Sequence, residues 1–286
     1  MKTTNGSIER SGFKFHYSIE GSGQPVLIIG SRLYYQRLFA PALREKLQLV
    51  FIDHRGFTPP PYEVSDPEEL YGLDKILEDT EAIRKQLGIG KCWVAGHSGH
   101  GLMALEYAKR YDHDVYGVML ISTSPSLSTA NRALADLHFD TLAEPERIRL
   151  FEQNMQELPE KIAAAPENRF VWFNLAQAPK SWYDSSIDAA AFWDGVYVNM
   201  PAIDHLWGTV FRDIDISQNL EDFYTPVWLA LGKYDFVSGP AEQWNSVSKH
   251  FRDLTTEIFE HSAHNPPYEE ASLFNEKLLQ WMELYD

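Results

Sequence analysis

The fold is decided by one stretch, Cys92-Trp-Val-Ala-Gly-His-Ser-Gly-His-Gly-Leu-Met-Ala-Leu105. Cys92–Ala95 reads as a short apolar strand and Gly96-His-Ser-Gly-His-Gly101 as a tight turn. Leu102–Tyr111 then places Leu102, Leu105 and Tyr107 to Ala108 near helical spacing. A strand that breaks over a serine into a helix projects the hydroxyl above the end of a sheet. The free N–H groups of the new helix favour negative charge at that same point. Ser98 is therefore the candidate nucleophile. The competing account is a serine capping a glycine-rich helix N-terminus, which is common.

Similar apolar runs lie on both sides of this turn. Phe13–Glu20 is strand-like, and Pro25–Ile29, Leu49–Asp53, Lys91–Ala95 and Val115–Ile121 are short apolar stretches without alternation. Strands of that kind are covered on both faces, the signature of a mostly parallel sheet between helices. Leu73–Leu87 has helical spacing and stops at Gly88. From about 131 to 224 the strand runs vanish and helical patterns broken by Pro, Asn and Ser replace them. From Thr225 the sheet pattern resumes with Pro226–Leu231, Thr255–Phe259 and a closing helix Glu269–Leu284. The expectation is an α/β core of residues 1–130 and 225–286, split by a helical cap of residues 131–224.

Composition narrows the function. The 286 residues carry 25 Lys+Arg against 41 Asp+Glu, a formal net charge of −16. Such a balance argues against nucleic acid and anionic membrane surfaces as partners. The single cysteine, Cys92, excludes a disulfide framework and a cysteine-based zinc site, and its place in a strand suggests a small packing residue. The N-terminus opens no apolar run and no stretch approaches a membrane span, so the expectation is a soluble, cytoplasmic protein. Residues 131–224 hold 16 acids and 7 bases, a net of −9, so the excess is concentrated in the cap.

Two further residues complete a catalytic set. An elbow serine is followed in chain order by an acid and then a histidine. Gly232-Lys-Tyr-Asp235 comes directly after the strand ending at Leu231, and a carboxylate there lies on the functional edge of a parallel sheet. Beyond it lie only His250, His261 and His264. His250 falls in an expected helix Glu242–Phe251, and His261 ends a strand-like run. His264 sits in the loop Ser-Ala-His-Asn-Pro-Pro, where catalytic groups concentrate, which places it ahead of His261.

These residues resemble the α/β-hydrolase superfamily, and the core is similar to its proline iminopeptidase and esterase branch. The resemblance is carried by Glu20–Ile29, Asp53-His-Arg-Gly56, Leu73–Gly90 leading into Gly96–Ala108, Gly232–Asp235 and Ser262-Ala-His264. It covers about residues 7–125 and 225–286 and implies an α/β-hydrolase fold with a Ser98–His264–Asp235 triad. It also implies acyl transfer with no organic cofactor or metal. The oxyanion hole would combine the N–H of Gly99 with one from the loop after the third strand, where alignment places Arg32.

Two features depart from the family pattern. The fifth position of Gly-x-Ser-x-Gly is His100, where a small residue is usual, so that ring needs room. The glycine-rich oxyanion loop is replaced by Gly30-Ser-Arg-Leu-Tyr-Tyr35, in which Tyr34 or Tyr35 would add a phenolic donor or pack under the cap. His97 and His100 at i, i+3 suggest a metal pair, but no carboxylate accompanies them in register.

Residues 170–211 hold ten aromatics, and Trp172, Trp182 and Trp193 with Tyr34 are the candidate substrate-binding residues. The favoured reading is a carboxylesterase of small or medium esters. The second is an aminopeptidase that binds a substrate ammonium with cap carboxylates, for which Asp184, Asp188, Asp194 and Asp204 are the candidates. The third is a non-catalytic or receptor-like relative. The expected partner is a small ester or short peptide, with no nucleic acid and no membrane.

Overall fold

The computed structural model describes residues 3–62 and 66–285. Eight strands form one sheet: β1 (Thr3–Arg10), β2 (Phe13–Gly21), β3 (Gln24–Gly30), β4 (Leu47–Asp53), β5 (Cys92–His97), β6 (Val115–Ile121), β7 (Val227–Gly232) and β8 (Leu254–Phe259). Their order is β1-β2-β4-β3-β5-β6-β7-β8. The β1–β2 and β2–β4 ladders are antiparallel, and every other ladder is parallel.

The unbroken apolar runs are explained by the two faces of this sheet. Leu27, Ile29, Val50, Ile52, Val94, Val118 and Leu120 pack with the helices Leu73–Gln86 and Gly99–Arg110. Their alternating neighbours Val26, Ile28, Leu49, Phe51, Trp93, Ala95 and Met119 pack with Arg32–Leu38 and Ala271–Met282. A strand with both faces covered has no position for a polar residue. β1 has no such run; only Ile8 is buried along it, so Thr3–Arg10 is an edge strand held by its ladder to β2.

Two helices differ from the sequence expectation. Glu242–Phe251 is not one helix; it contains the 3-10 turns Ala241–Trp244 and Ser248–His250. Asn245 and the serines are poor helix formers, and Trp244 Nε1 is drawn inward to the Thr123 carbonyl at 3.1 Å. The closing helix breaks at Glu270, between Pro266–Glu269 and Ala271–Met282. The Glu270 carboxylate turns back to the His261 N–H at 2.9 Å and the Ser262 hydroxyl at 2.8 Å.

Between β6 and β7 the chain leaves the sheet for a series of helices, among them Thr129–Leu142, Pro145–Ala164 and Arg169–Ala176. Residues of Thr129–Leu142 and Arg169–Ala176 line one cavity with Ser98 and His264, which follow β5 and β8 at the carboxyl end of the sheet. Among the described residues no helix is long and apolar enough to cross a membrane.

Candidate active site

Ser98 sits at φ 57°, ψ −130°, between β5 and the helix Gly99–Arg110. A serine in that region is strained by about 1–3 kcal/mol and persists only where its surroundings fix it. Here the Ser98 N–H donates to the Ile121 carbonyl of β6 at 2.8 Å. Its carbonyl accepts from the Gly101 N–H at 3.0 Å and from Thr123 Oγ1 at 3.2 Å. A Cβ on Gly101 would stand 2.0 Å from Thr123 Oγ1, so the close helix–sheet approach falls at 101. The displaced glycine of the motif thus keeps its structural task.

Asp235 is almost fully buried beyond the end of β7. Its Oδ1 accepts from the N–H groups of Val237 and Ser238, both at 2.9 Å, and its Oδ2 lies 2.8 Å from His264 Nδ1. The carboxylate therefore takes a proton on Nδ1 of His264 and leaves Nε2 as the acceptor nitrogen. His261 is exposed, and its ring meets Tyr183 Oη at 3.5 Å, away from Asp235. His250 is exposed at the end of its 3-10 turn.

Ser98, Gly99 and His264 line one cavity of about 490 Å³. Gly99 is the first residue of its helix, so its N–H has no partner within that helix and is a donor at the foot of Ser98. Tyr34, Trp182 and Trp193 also line the cavity, and the Tyr34 ring packs 4.7 Å from Trp193. Burial pushes the Tyr34 phenol well above its usual range, so it remains protonated.

Three sequence expectations are corrected. Arg32 does not line the cavity. A helix begins at Arg32 directly after β3, and this turns its N–H onto Asp53 Oδ1 at 2.6 Å. The guanidinium lies 3.1 Å from both Ser18 Oγ and Gln36 Oε1. Ser31, one residue earlier, is buried and does line the cavity. Its Oγ accepts the Tyr34 N–H at 3.4 Å as the helix N-cap, leaving the hydroxyl proton to donate.

Trp172 does not line the cavity either. In the helix Arg169–Ala176 the cavity face is Phe170, Phe173 and Asn174, continued by Gln177 at the cap. That is the i, i+3, i+4, i+7 stripe, and Trp172 falls off it. Phe57, Phe170, Phe173, Trp207 and Phe236 line the cavity as well, and the helical stripe alone points to Phe170 and Phe173.

The four candidate cap carboxylates stand outside the cavity as well. Asp184, Asp188, Asp194 and Asp204 are all exposed, and none lines it. Asp184 caps the turn at Ser186, Asp188 caps Ala190, and Asp204 pairs with Arg169. Short polar side chains beside turns satisfy nearby backbone donors first. Among the described residues the acid that lines the cavity is Asp136, and it is paired with Lys180 at 2.9 Å.

The room His100 needs is supplied by the helix Arg32–Leu38 and the segment after β4. Its Nδ1 lies 2.7 Å from Tyr35 Oη and its Nε2 lies 2.9 Å from His54 Nε2. Gly30, at φ 154°, is the floor beneath the Tyr35 ring; a Cβ there would stand 2.0 Å from Tyr35 Cε2. His54 follows β4 and is held in place by its neighbour Arg55, whose Nε pairs with buried Asp79 at 2.6 Å. The His97 and His100 rings are each engaged by other groups. His97 Nε2 goes to the His264 carbonyl at 2.7 Å, a different partner from that of His100. Cys92 is buried inside the sheet, and burial pushes its thiol up to about 12.

Comparison with known proteins agrees with this fold. The family model described as the alpha/beta hydrolase fold matches residues 27–271, and the chain belongs to that family, whose members are generally hydrolytic enzymes. Among curated relatives, the AB hydrolase superfamily protein YclE of Bacillus subtilis is 40% identical over 278 residues, 97% of this chain and 98% of that one. A proline iminopeptidase of Saccharolobus solfataricus is 24% identical over 283 residues, 93% of this chain and 87% of its own. Among solved structures, the proline iminopeptidase of Mycobacterium smegmatis superposes with a TM-score of 0.73 at 14% identity. It covers 99% of this chain and 98% of its own.

Proposed function

We propose that this chain is a serine hydrolase that cleaves carboxylic esters of small or medium size. The observation that carries the reading is the strained Ser98 sharing a cavity with a histidine whose Nδ1 is bound by a buried aspartate. His264 Nε2 takes the Ser98 proton as Oγ attacks the ester carbonyl, and Asp235 stabilises the imidazolium that forms. The Gly99 N–H and the Ser31 hydroxyl hold the oxyanion, Ser31 replacing the donor that Arg32 gives to Asp53. His264 returns its proton to the leaving alkoxide, and water then releases the acyl-enzyme by the same route. The aromatic wall of Tyr34, Trp182 and Trp193 suits an apolar acyl or alcohol group.

The proline iminopeptidases among the relatives support a second reading, an aminopeptidase acting on short peptides. Its substrate carries an ammonium, and the four acids expected to receive it stand outside the cavity. That favours the ester. The discriminating experiment assays p-nitrophenyl butyrate and proline p-nitroanilide side by side. Hydrolysis of the butyrate, lost in Ser98→Ala, is the expected result. Efficient cleavage of the anilide with little action on the butyrate would replace the ester reading by the peptidase one.

A further inference from the structure

Four buried side chains outside the triad form one chain that ends on the catalytic base. The Gly56 N–H donates to His54 Nδ1 at 2.9 Å, and His54 Nε2 meets His100 Nε2 at 2.9 Å. His100 Nδ1 meets Tyr35 Oη at 2.7 Å. Tyr35 Oη lies 3.5 Å from His97 Nδ1 and 3.4 Å from the His97 carbonyl. His97 Nε2 then meets the backbone carbonyl of His264 at 2.7 Å.

The two ends of this chain fix its sense. An amide N–H only donates, so His54 Nδ1 accepts and its proton is on Nε2. His54 therefore donates to His100 Nε2, and His100 carries its proton on Nδ1 and donates to Tyr35. The Tyr35 hydroxyl proton is left to point at His97. At the far end a carbonyl only accepts, so His97 carries its proton on Nε2 and presents Nδ1 as an acceptor towards Tyr35. Each ring is neutral and every bond runs the same way. Burial agrees with this, lowering His54 and His97 to about 3 and His100 in the same direction.

The rest of the His264 backbone is already held. Its N–H donates to the Ser181 carbonyl at 3.0 Å. The flanking N–H groups of Ala263 and Asn265 go to Glu269 Oε2 at 2.9 and 3.1 Å. The carbonyl is the remaining backbone group of His264, and the His97 ring meets it from the elbow side, its centroid 4.6 Å from that of the His264 ring.

We propose that His97 is a positioning residue for the catalytic base: its Nε2–H pins the His264 carbonyl, and the chain His54–His100–Tyr35 holds His97 in the one tautomer that donates there. The elbow thus carries both the nucleophile and, one residue earlier, the group that sets its base. The inference rests on the assignment of His264 as that base.

The test uses the full chain with His97→Leu, His97→Gln, whose amide still donates, and Tyr35→Phe. Two readouts are taken: kcat and KM on p-nitrophenyl butyrate, and the low-field proton resonance of the Asp235–His264 hydrogen bond. Misplacement of a catalytic group by about 1 Å costs about 100-fold, so His97→Leu is expected to lower kcat about 10- to 100-fold. His97 also lines the cavity, so KM is read beside kcat, and a positioning role keeps it within about threefold. His97→Gln should regain most of the loss, and the low-field resonance should persist in it and broaden in His97→Leu. Equal kcat in the two variants, or a loss confined to KM, would overturn the proposal. If His97→Leu does not fold, Tyr35→Phe decides: a fall in kcat supports the chain and an unchanged kcat overturns it. A wild-type protein inert to esters would remove the proposed function. The resonance would still decide the positioning role, its persistence unaltered in His97→Leu counting against it.

Discussion

Tyr35 Oη lies 2.7 Å from His100 Nδ1. These are the two places where the chain departs from its family's pattern, the loop after the third strand and the fifth position of the elbow motif. Each departure supplies the other's missing requirement: Tyr35 provides an acceptor for the His100 Nδ1–H, which would otherwise be buried unpaired. The pair should therefore be energetically coupled. Tyr35→Phe or His100→Phe alone leaves a buried polar atom without its partner, at a cost of about 1–3 kcal/mol. In a double-mutant cycle by urea unfolding, the double variant should lose less than the two single losses added, with a coupling of about 0.5–3 kcal/mol. Strict additivity would mean that the two side chains do not depend on each other.

Ser31 is expected to serve turnover as well as the fold. Ser31→Ala should lower kcat about 100-fold through the lost oxyanion donor and cost about 1 kcal/mol through the lost N-cap. Ser31→Thr keeps both functions and should retain most of kcat. The comparison of kcat with the unfolding midpoint separates the two roles. An unchanged kcat in a less stable Ser31→Ala protein would leave Ser31 only its capping role.

Asp53 gives a pH-dependent prediction. Burial, opposed by the Arg32 N–H bond, pushes its carboxyl from 3.8 up to about 7. In the unfolded chain the group ionises near 3.8, so between there and about 7 the folded state holds the extra proton. Stability from this group therefore falls as pH rises through that window, and the penalty is complete above it. Asp53→Asn mimics the protonated form and keeps an acceptor for Arg32. It should be more stable than wild type at pH 8, by on the order of a few kcal/mol, and nearly equal to it near pH 4. His54 and His97, lowered to about 3, act in the opposite direction as pH falls below 6.5, but they are common to both proteins and cancel in the comparison. A stability difference that does not change with pH would contradict the shift.

The cavity wall predicts chain-length selectivity. Trp193 lines the cavity and Trp172 does not. Trp193→Ala should move the optimum of kcat/KM from butyrate towards longer p-nitrophenyl esters, whereas Trp172→Phe should keep the wild-type profile. A profile altered equally by both would place the substrate elsewhere.

The parts legible in the sequence were those written in contiguous residues. Pro25–Ile29 and Leu49–Asp53 read as doubly covered strands because each run is apolar on both faces of the sheet, and Ser98 read as an elbow because strand, turn and helix adjoin. The role of Arg32 is not legible locally for a physical reason: the helix starting there rotates its N–H away from the cavity, and only the position of Asp53 on β4 reveals it. Aromatic content carries no helical phase, and Trp172 falls off the stripe of its helix that faces the cavity. The chain through His54, Tyr35 and His97 joins three separate strand ends, so no local pattern contains it. The exposed cap acids followed composition, and composition does not record which face of a turn a carboxylate occupies.

The most direct test of the central claim is intact-protein and peptide mass spectrometry after treatment with a fluorophosphonate. One adduct per chain on Ser98, absent from Ser98→Ala and slowed in His264→Gln but not in His261→Gln, is the predicted result. A folded wild-type protein that takes no label, or takes it on another residue, would contradict the account.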